Sequence, residues 1–213
     1  MTAVRTGANT YAGDLVTTHG PPFSATPFDP NAVTLSTVGQ ATLTFTDANT
    51  AQFSYTVNGV AQVKTLTREF FGTPPSCAFG VQPDLALATN YQDLWWAAPA
   101  GIESGWGINL TEQSNKIFGT WFTYDVDGSP LWLSVLATNT APGVYAGALM
   151  RTRGPAFDAV PFAPAAVTAT QVGTATFTFQ DGAHATFAYT VNGVSQAKAI
   201  TREVFVSPGT FCQ

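Results

Sequence analysis

The hexapeptide YTVNGV occurs twice in this chain, beginning at Tyr55 and again at Tyr189. The match extends far beyond six residues. Residues 11–71 and 145–205 align without a gap at a constant separation of 134 positions, and more than half of the paired positions are identical. A duplication of this length repeats a folding unit rather than a local preference. Each copy therefore informs the interpretation of the other.

The two copies are not equally complete. Residues 94–140, here called the front portion, occur once, whereas the back portion occurs twice, at 11–71 and 145–205. At the same separation of 134 positions, Met1 is the counterpart of Val135, which lies inside the apolar run PLWLSVL. We therefore expect either a fragment of a longer tandem array or a subunit whose missing part comes from elsewhere.

This alignment predicts the domain organisation. A partial repeat, with the back portion alone, should span residues 1–79. A linker should follow at 80–93, and a complete repeat should span 94–213.

The repeated hexapeptide predicts a β-hairpin. Asn58-Gly59 lies between β-branched and aromatic residues, which is the strongest short-range signal for a two-residue type I′ turn. This turn places Phe53 opposite Lys64 and Tyr55 opposite Gln62. Further segments alternate like strands, and none has helical periodicity with caps. We predict an all-β, antiparallel fold with about seven or eight strands in the complete repeat, as a small barrel or sandwich.

One face of the hairpin keeps its residues in both copies and should face the core. It carries a candidate ligand site, which consists of Tyr55, Gln62, Lys64 and Arg68 and their counterparts Tyr189, Gln196, Lys198 and Arg202. Buried cations need partners. We favour a structural role, in which the aliphatic stems pack on Phe53 or Phe187 and the charged heads reach a carboxylate such as Glu103. The alternative is a barrel mouth that binds a polar or anionic ligand.

All five tryptophans lie in the front portion, at positions 95, 96, 106, 121 and 132. Trp106 and Trp121 sit in alternating strand-like runs, which indicates core positions. Trp95 and Trp96 remain candidates for stacking on a sugar, although adjacent strand residues point to opposite faces.

Composition limits the possible partners. The chain has eight basic residues and a net charge of −5, which argues against binding nucleic acid. It has no apolar run of the roughly 20 residues that span a membrane, and its first residues do not form a signal peptide. Only 10% of the residues are charged, against about 25% in ordinary domains, a pattern commoner in secreted β-proteins.

We find no signature of catalysis, metal binding or a cofactor. No nucleophile-elbow, zinc-protease or phosphate-loop motif is present. His19 and His184 are not repeat equivalents and are interpreted as surface residues. Asp125 and Asp127 resemble the start of a calcium loop, but Leu136 stands where its final glutamate is needed, so we interpret them as a hairpin turn. We predict that the chain is not an enzyme.

Each copy ends with a cysteine, Cys77 in the first and Cys212 in the second. They can pair with each other if the two back portions lie side by side. They can instead link successive units.

Two resemblances bear on function. The pattern ESGWGINL…FGTWFTYDVDGSPLWL…YTVNGV…KAITREVF resembles a repeat of secreted proteobacterial proteins that is often found in tandem. It covers nearly the whole chain and implies an extracellular or cell-surface setting, with no established activity. Residues 119–128, GTWFTYDVDG, are similar to the first hairpin of avidin-type barrels.

These observations lead to two functional hypotheses. The first is a non-catalytic structural module that associates with copies of itself into a fibre, sheath or surface array. The single front portion can complete either back portion, and the other back portion must then stay open or be completed by another subunit. The second is a module of a secreted protein that binds a glycan or a small anionic ligand. We favour the first.

Overall fold

The computed structural model describes all 213 residues and consists almost entirely of antiparallel strands, which confirms the predicted all-β fold. Three short 3-10 helices, at Pro30–Ala32, Leu85–Leu87 and Pro164–Ala166, lie in the connections. None of these helices is long or apolar enough to span a membrane. The strands are β1 (Val4–Arg5), β2 (Thr10–His19), β3 (Thr34–Phe45), β4 (Thr50–Val57), β5 (Val60–Thr67), β6 (Cys77–Gln82), β7 (Asp93–Ala97), β8 (Gly107–Gln113), β9 (Lys116–Tyr124), β10 (Pro130–Ala141), β11 (Val144–Arg153), β12 (Thr168–Phe179), β13 (His184–Val191), β14 (Val194–Arg202) and β15 (Gly209–Cys212).

The complete repeat forms a closed barrel of eight strands, β7–β14. Each strand pairs with the next along the chain, and β14 pairs back onto β7, where Ile200 lies opposite Ala97. The front portion supplies β8, β9 and most of β7 and β10, so it closes the barrel on both sides of the second back portion.

The first repeat forms an open sheet of five strands in the order β1–β5. These strands are the counterparts of β10–β14, since Val4 matches Thr138 at the start and Thr67 matches Thr201 at the end. The sheet stays open because the only front portion in the sequence is already part of the barrel. We refer to β1–β5 as the open sheet.

Both Asn-Gly hairpins have the predicted register. Phe53 lies opposite Lys64 and Tyr55 opposite Gln62. Asn58 and Gly59 both have positive φ, 48° and 82°, as a type I′ turn requires. The same conformation recurs at Asn192 and Gly193.

The barrel interior is filled by aromatic rings. The Trp121 ring lies 4.5 Å from that of Tyr189 and 5.1 Å from that of Phe187, between centroids. Phe177 stacks on Phe187 at 5.0 Å. Inward positions alternate with outward ones along each strand, and an eight-stranded barrel is just wide enough for such side chains to fill. The centre of the barrel is therefore a packed core.

Residues near the two cysteines form a separate small sheet. Strand β6 pairs with β15, and Cys77 forms a disulfide with Cys212 inside the chain. The segment predicted as a linker, 80–93, is thus partly structured, because it contains the end of β6, the helix Leu85–Leu87 and the start of β7.

Candidate functional site

The first site lies at one end of the barrel, where a loop of the first repeat enters. This first Pro-rich loop, residues 20–30, inserts Phe23 and Phe28, each only 5% exposed. Phe23 packs edge-on against Trp121 at 6.1 Å, and Phe28 stacks on Tyr124 at 6.4 Å. The first repeat therefore completes the hydrophobic core of the second.

Two of the predicted site residues hold this loop by its backbone. The hydroxyl of Tyr189 lies 2.9 Å from the carbonyl oxygen of Phe23 and 2.7 Å from Oε1 of Gln196. Gln196 Nε2 donates to the carbonyl oxygen of Ser24 at 2.9 Å and to Oγ1 of Thr26 at 3.2 Å. The barrel mouth, which the sequence offers as an alternative ligand site, is thus filled by the chain's own loop.

The open sheet receives the equivalent loop of the second repeat. The Tyr55 hydroxyl lies 3.1 Å from the carbonyl oxygen of Phe157 and 2.7 Å from Oε1 of Gln62. Lys64 Nζ lies 3.4 Å from the same carbonyl oxygen and 5.6 Å from the centre of the Phe162 ring. The two contacts of the Tyr55 hydroxyl repeat those of Tyr189 at the barrel mouth, whereas the contacts of Lys64 differ from those of Lys198. The two repeats therefore exchange their Pro-rich loops in an approximately two-fold arrangement.

In the barrel, the front portion supplies the acidic partner of Lys198. Lys198 Nζ lies 2.7 Å from Oε2 of Glu103, as the sequence predicted, and 5.4 Å from the centre of the Trp106 ring. Trp106 Nε1 donates to the same carboxylate oxygen at 2.9 Å. Glu103 therefore holds both a cation and an indole at the edge of the core.

Arg202 is the most completely buried cation of the chain, with 5% exposure. Its guanidinium lies 3.4 Å from Oδ2 of Asp93, donates to the carbonyl groups of Asn90 and Gly182, and lies over the Trp95 ring. Burial lowers the pKa of Arg202 and raises the pKa of Asp93. Because the guanidinium is buried and has several partners, these contacts indicate a structural role for Arg202.

The equivalent cations of the open sheet have no such partners. Neither Lys64 nor Arg68 forms an ion pair, and Arg68 is exposed. Both carboxylates used in the barrel, Asp93 and Glu103, are positioned by segments that the open sheet does not have.

Apolar positions on the inner face of the open sheet show the same contrast. Phe45 is 40% exposed, whereas its counterpart Phe179 is 7% exposed. Leu66 is 41% exposed, whereas Ile200 is 1% exposed. The inner face of the open sheet therefore has the composition of a core without the strands that cover it.

The tryptophans do not form a common platform. Trp106 and Trp121 belong to the core, as predicted. Trp95 points inward, where its Nε1 donates to the carbonyl oxygen of Tyr91, whereas Trp96 is half-buried on the outer side. Trp132 lies exposed on the outer wall against Phe122.

Sequence reasoning missed a cavity of about 910 Å³ beside the disulfide. Both repeats contribute to it, because residues 68–79 lie across β8 and β9 of the barrel. Burial raises the pKa of Glu112, whose carboxylate accepts from the Tyr91 backbone N–H and the Tyr145 hydroxyl. The lining also includes Arg68, Phe71, Phe79, Asn90, Gln92 and Phe118. No signal in the sequence brings these residues together, since the cavity depends on how the two repeats pack.

The remaining polar candidates have local roles. Asp127 accepts from the backbone N–H and the hydroxyl of Ser129, as expected in a hairpin turn. His19 and His184 are exposed. The chain contains no group of three or more His, Cys, Asp or Glu side chains placed to hold a metal ion.

Comparisons with protein-family models, with curated proteins and with solved structures found no match to this chain. The class that its fold defines is a duplicated β-repeat, with one closed eight-stranded barrel and one open half-barrel joined by exchanged loops.

Proposed function

We propose that this chain is a non-catalytic structural module that associates with further copies of itself through the inner face of the open sheet. The contrast in burial between Phe45 and Phe179, and between Leu66 and Ile200, carries this proposal. Covering an apolar sheet face removes it from water and is therefore favourable. In addition, the unpaired edges of a sheet are templates for pairing with another strand.

The unequal numbers of front and back portions in each chain favour open-ended growth. Each chain offers two back portions and one front portion. If a front portion moves to a neighbouring chain, it closes one repeat and leaves another open. Such an association has no closing step, and non-closing contacts build filaments.

We place this module outside the cytosol. The intrachain disulfide between Cys77 and Cys212 supports an oxidising compartment. The scarcity of charged residues supports the same setting.

Size-exclusion chromatography with light scattering, over a hundredfold range of concentration and followed by electron microscopy, tests the proposal. We expect the mass to rise with concentration and ordered polymers to form. Leu66→Lys, on the inner face of the open sheet, should abolish this rise. Val63→Lys changes an exposed residue on the outer face of the same strand and should leave it intact. A monomer at every concentration would refute the proposal.

The cavity beside the disulfide favours a second candidate function, the binding of a glycan or small anion. Phe71 and Phe118 offer ring faces to a sugar, and Arg68, which has no ion-pair partner, offers a charge to an anion. A cavity of this volume lies within the range of ligand sites. Thermal unfolding in the presence of neutral oligosaccharides or small carboxylic acids tests it. A rise in melting temperature that Phe118→Ala removes supports binding, and no shift with either class would contradict it.

A further inference from the structure

We propose that the occupant of the open sheet is the segment β7–β9 of a second copy of this chain, held in the register that these strands have in the barrel. This inference rests on the proposed function and names the partner of the same face. Three independent features of the open sheet match that segment: its charges, its aromatic pair and its two edges.

The charges of the face are complementary to this segment. Lys64 and Arg68 occupy the positions at which Lys198 and Arg202 bind Glu103 and Asp93, at 2.7 and 3.4 Å. Asp93 begins β7, and Glu103 lies in the connection from β7 to β8. A second copy that places β7–β9 on the open sheet therefore brings one carboxylate to each unpaired cation. An apolar segment without carboxylates leaves both cations unpaired.

The aromatic pair of the open sheet already has the geometry of the barrel. Phe187 and Tyr189 flank Trp121 of β9, with centroids 5.0 Å apart and planes at 37°. Phe53 and Tyr55 have the same separation, 5.0 Å, and the same angle, 37°. The site for a Trp121 side chain is therefore preformed, which lowers the cost of ordering on binding.

The two edges predict the register of the docked segment. In the barrel β14 pairs with β7, with Thr201 opposite Trp96, and β10 pairs with β9, with Thr138 opposite Lys116. Shifting the back-portion residues by 134 places Thr67 opposite Trp96. The same shift places Val4 opposite Lys116, at the other edge.

Disulfide trapping between chains tests this register. One chain carries Val4→Cys and the other Lys116→Cys, both outside the core. The two are mixed in denaturant and refolded together, so that front portions partition between acceptors. The matched control replaces Val4→Cys by Thr6→Cys, which lies two residues further along the chain, just beyond the end of β1. This position is about 7 Å out of register, which is too far for a disulfide. A single chain with Thr138→Cys and Lys116→Cys shows that the native pair forms the bond.

We expect a covalent heterodimer with Val4→Cys and its loss with Thr6→Cys. If neither pair crosslinks while the single-chain pair does, the inference is wrong. Crosslinking of Val4→Cys chains to one another would show two open sheets meeting edge to edge and would also overturn it. If the crosslinking fails but light scattering shows association, the proposed function stands and the chains associate through a different contact. If light scattering shows a monomer, both the proposed function and this inference are wrong.

Discussion

Replacing Phe23 with alanine tests whether the first repeat is part of the core of the second. Phe23 precedes the barrel in sequence by 70 residues, counted to Asp93. Its ring nevertheless packs against Trp121 and Tyr189 and is 5% exposed. Its counterpart Phe157 contacts Tyr55 of the open sheet and is 45% exposed. The two substitutions are chemically identical and differ only in the surface that the ring covers.

The structure predicts unequal losses of stability. Removing a buried phenylalanine ring costs about 3–5 kcal/mol. The centroid of the Phe23 ring lies 6.1 Å from that of Trp121 and 6.4 Å from that of Tyr189, so these rings are not tightly packed and Phe23→Ala should cost about 3–4 kcal/mol. Phe157 has about half of its surface buried. Its site opens to solvent, so that no enclosed cavity forms, and Phe157→Ala should cost about 1–2 kcal/mol. A difference of about 2 kcal/mol is roughly thirtyfold in the equilibrium constant of unfolding.

Urea denaturation followed by tryptophan fluorescence measures both variants. All five tryptophans lie at 95–132, within the barrel repeat, so the signal reports the unfolding of the barrel alone. We expect Phe23→Ala to lower the midpoint clearly and Phe157→Ala to lower it little, with unchanged slopes. Equal shifts, or no shift with Phe23→Ala, would refute the conclusion that the first Pro-rich loop completes the barrel core.

The unequal environments of equivalent side chains lead to further predictions. Arg202→Leu should lower the free energy of unfolding by about 1–3 kcal/mol, because the buried carbonyl group of Gly182 and the partly exposed carboxylate of Asp93 lose their donor, whereas Arg68→Leu should stay within about 0.5 kcal/mol. Similar losses in urea titrations would contradict the difference in burial. Glu103→Gln should cost about 1–3 kcal/mol in the same assay, because Lys198 Nζ and the indole N–H of Trp106 both bind this carboxylate, and an unchanged midpoint would contradict this. Burial raises the pKa of Glu112, so the folded protein holds the proton of this carboxyl group more tightly than the unfolded chain does. The resulting stabilisation is fully present below the ordinary pKa of 4.5 and is lost as the pH rises through the raised value. The unfolding free energy of the wild type should therefore fall relative to that of Glu112→Gln as the pH rises from 4.5, and a difference that is constant with pH would contradict it.

The hairpins could be predicted from the sequence because their information is local. An Asn-Gly pair selects a turn with two positive φ values, and that turn determines which residues face each other. The pairing of Phe53 with Lys64 follows from these few residues. The number of strands followed in the same way, from alternation and turn residues.

The exchange of loops could not be predicted, because it depends on how two distant units pack. The sequence presents Phe23 and Phe157 in nearly identical surroundings, GPPFSA and GPAFDA. Their exposures differ ninefold, 5% against 45%, because one loop meets a closed barrel and the other an open sheet. Equivalent arginines differ for the same reason, since Asp93 and Asn90, which bind Arg202, lie more than 100 residues away along the chain. The cavity beside the disulfide has the same origin.

The loop exchange and the open sheet differ in whether they can propagate. In the loop exchange, Tyr189 binds the loop that carries Phe23, and Tyr55 binds the loop that carries Phe157. Both loops and both mouths are used within one chain, so the exchange is saturated and offers nothing to a second copy. The open sheet is different, because its partner segment is used elsewhere in the same chain and each added copy brings another open sheet. If copies of the chain associate as proposed, growth should therefore proceed through β1–β5. For this reason a lysine at position 66, on the inner face, should stop it, whereas one at position 63, on the outer face, should not.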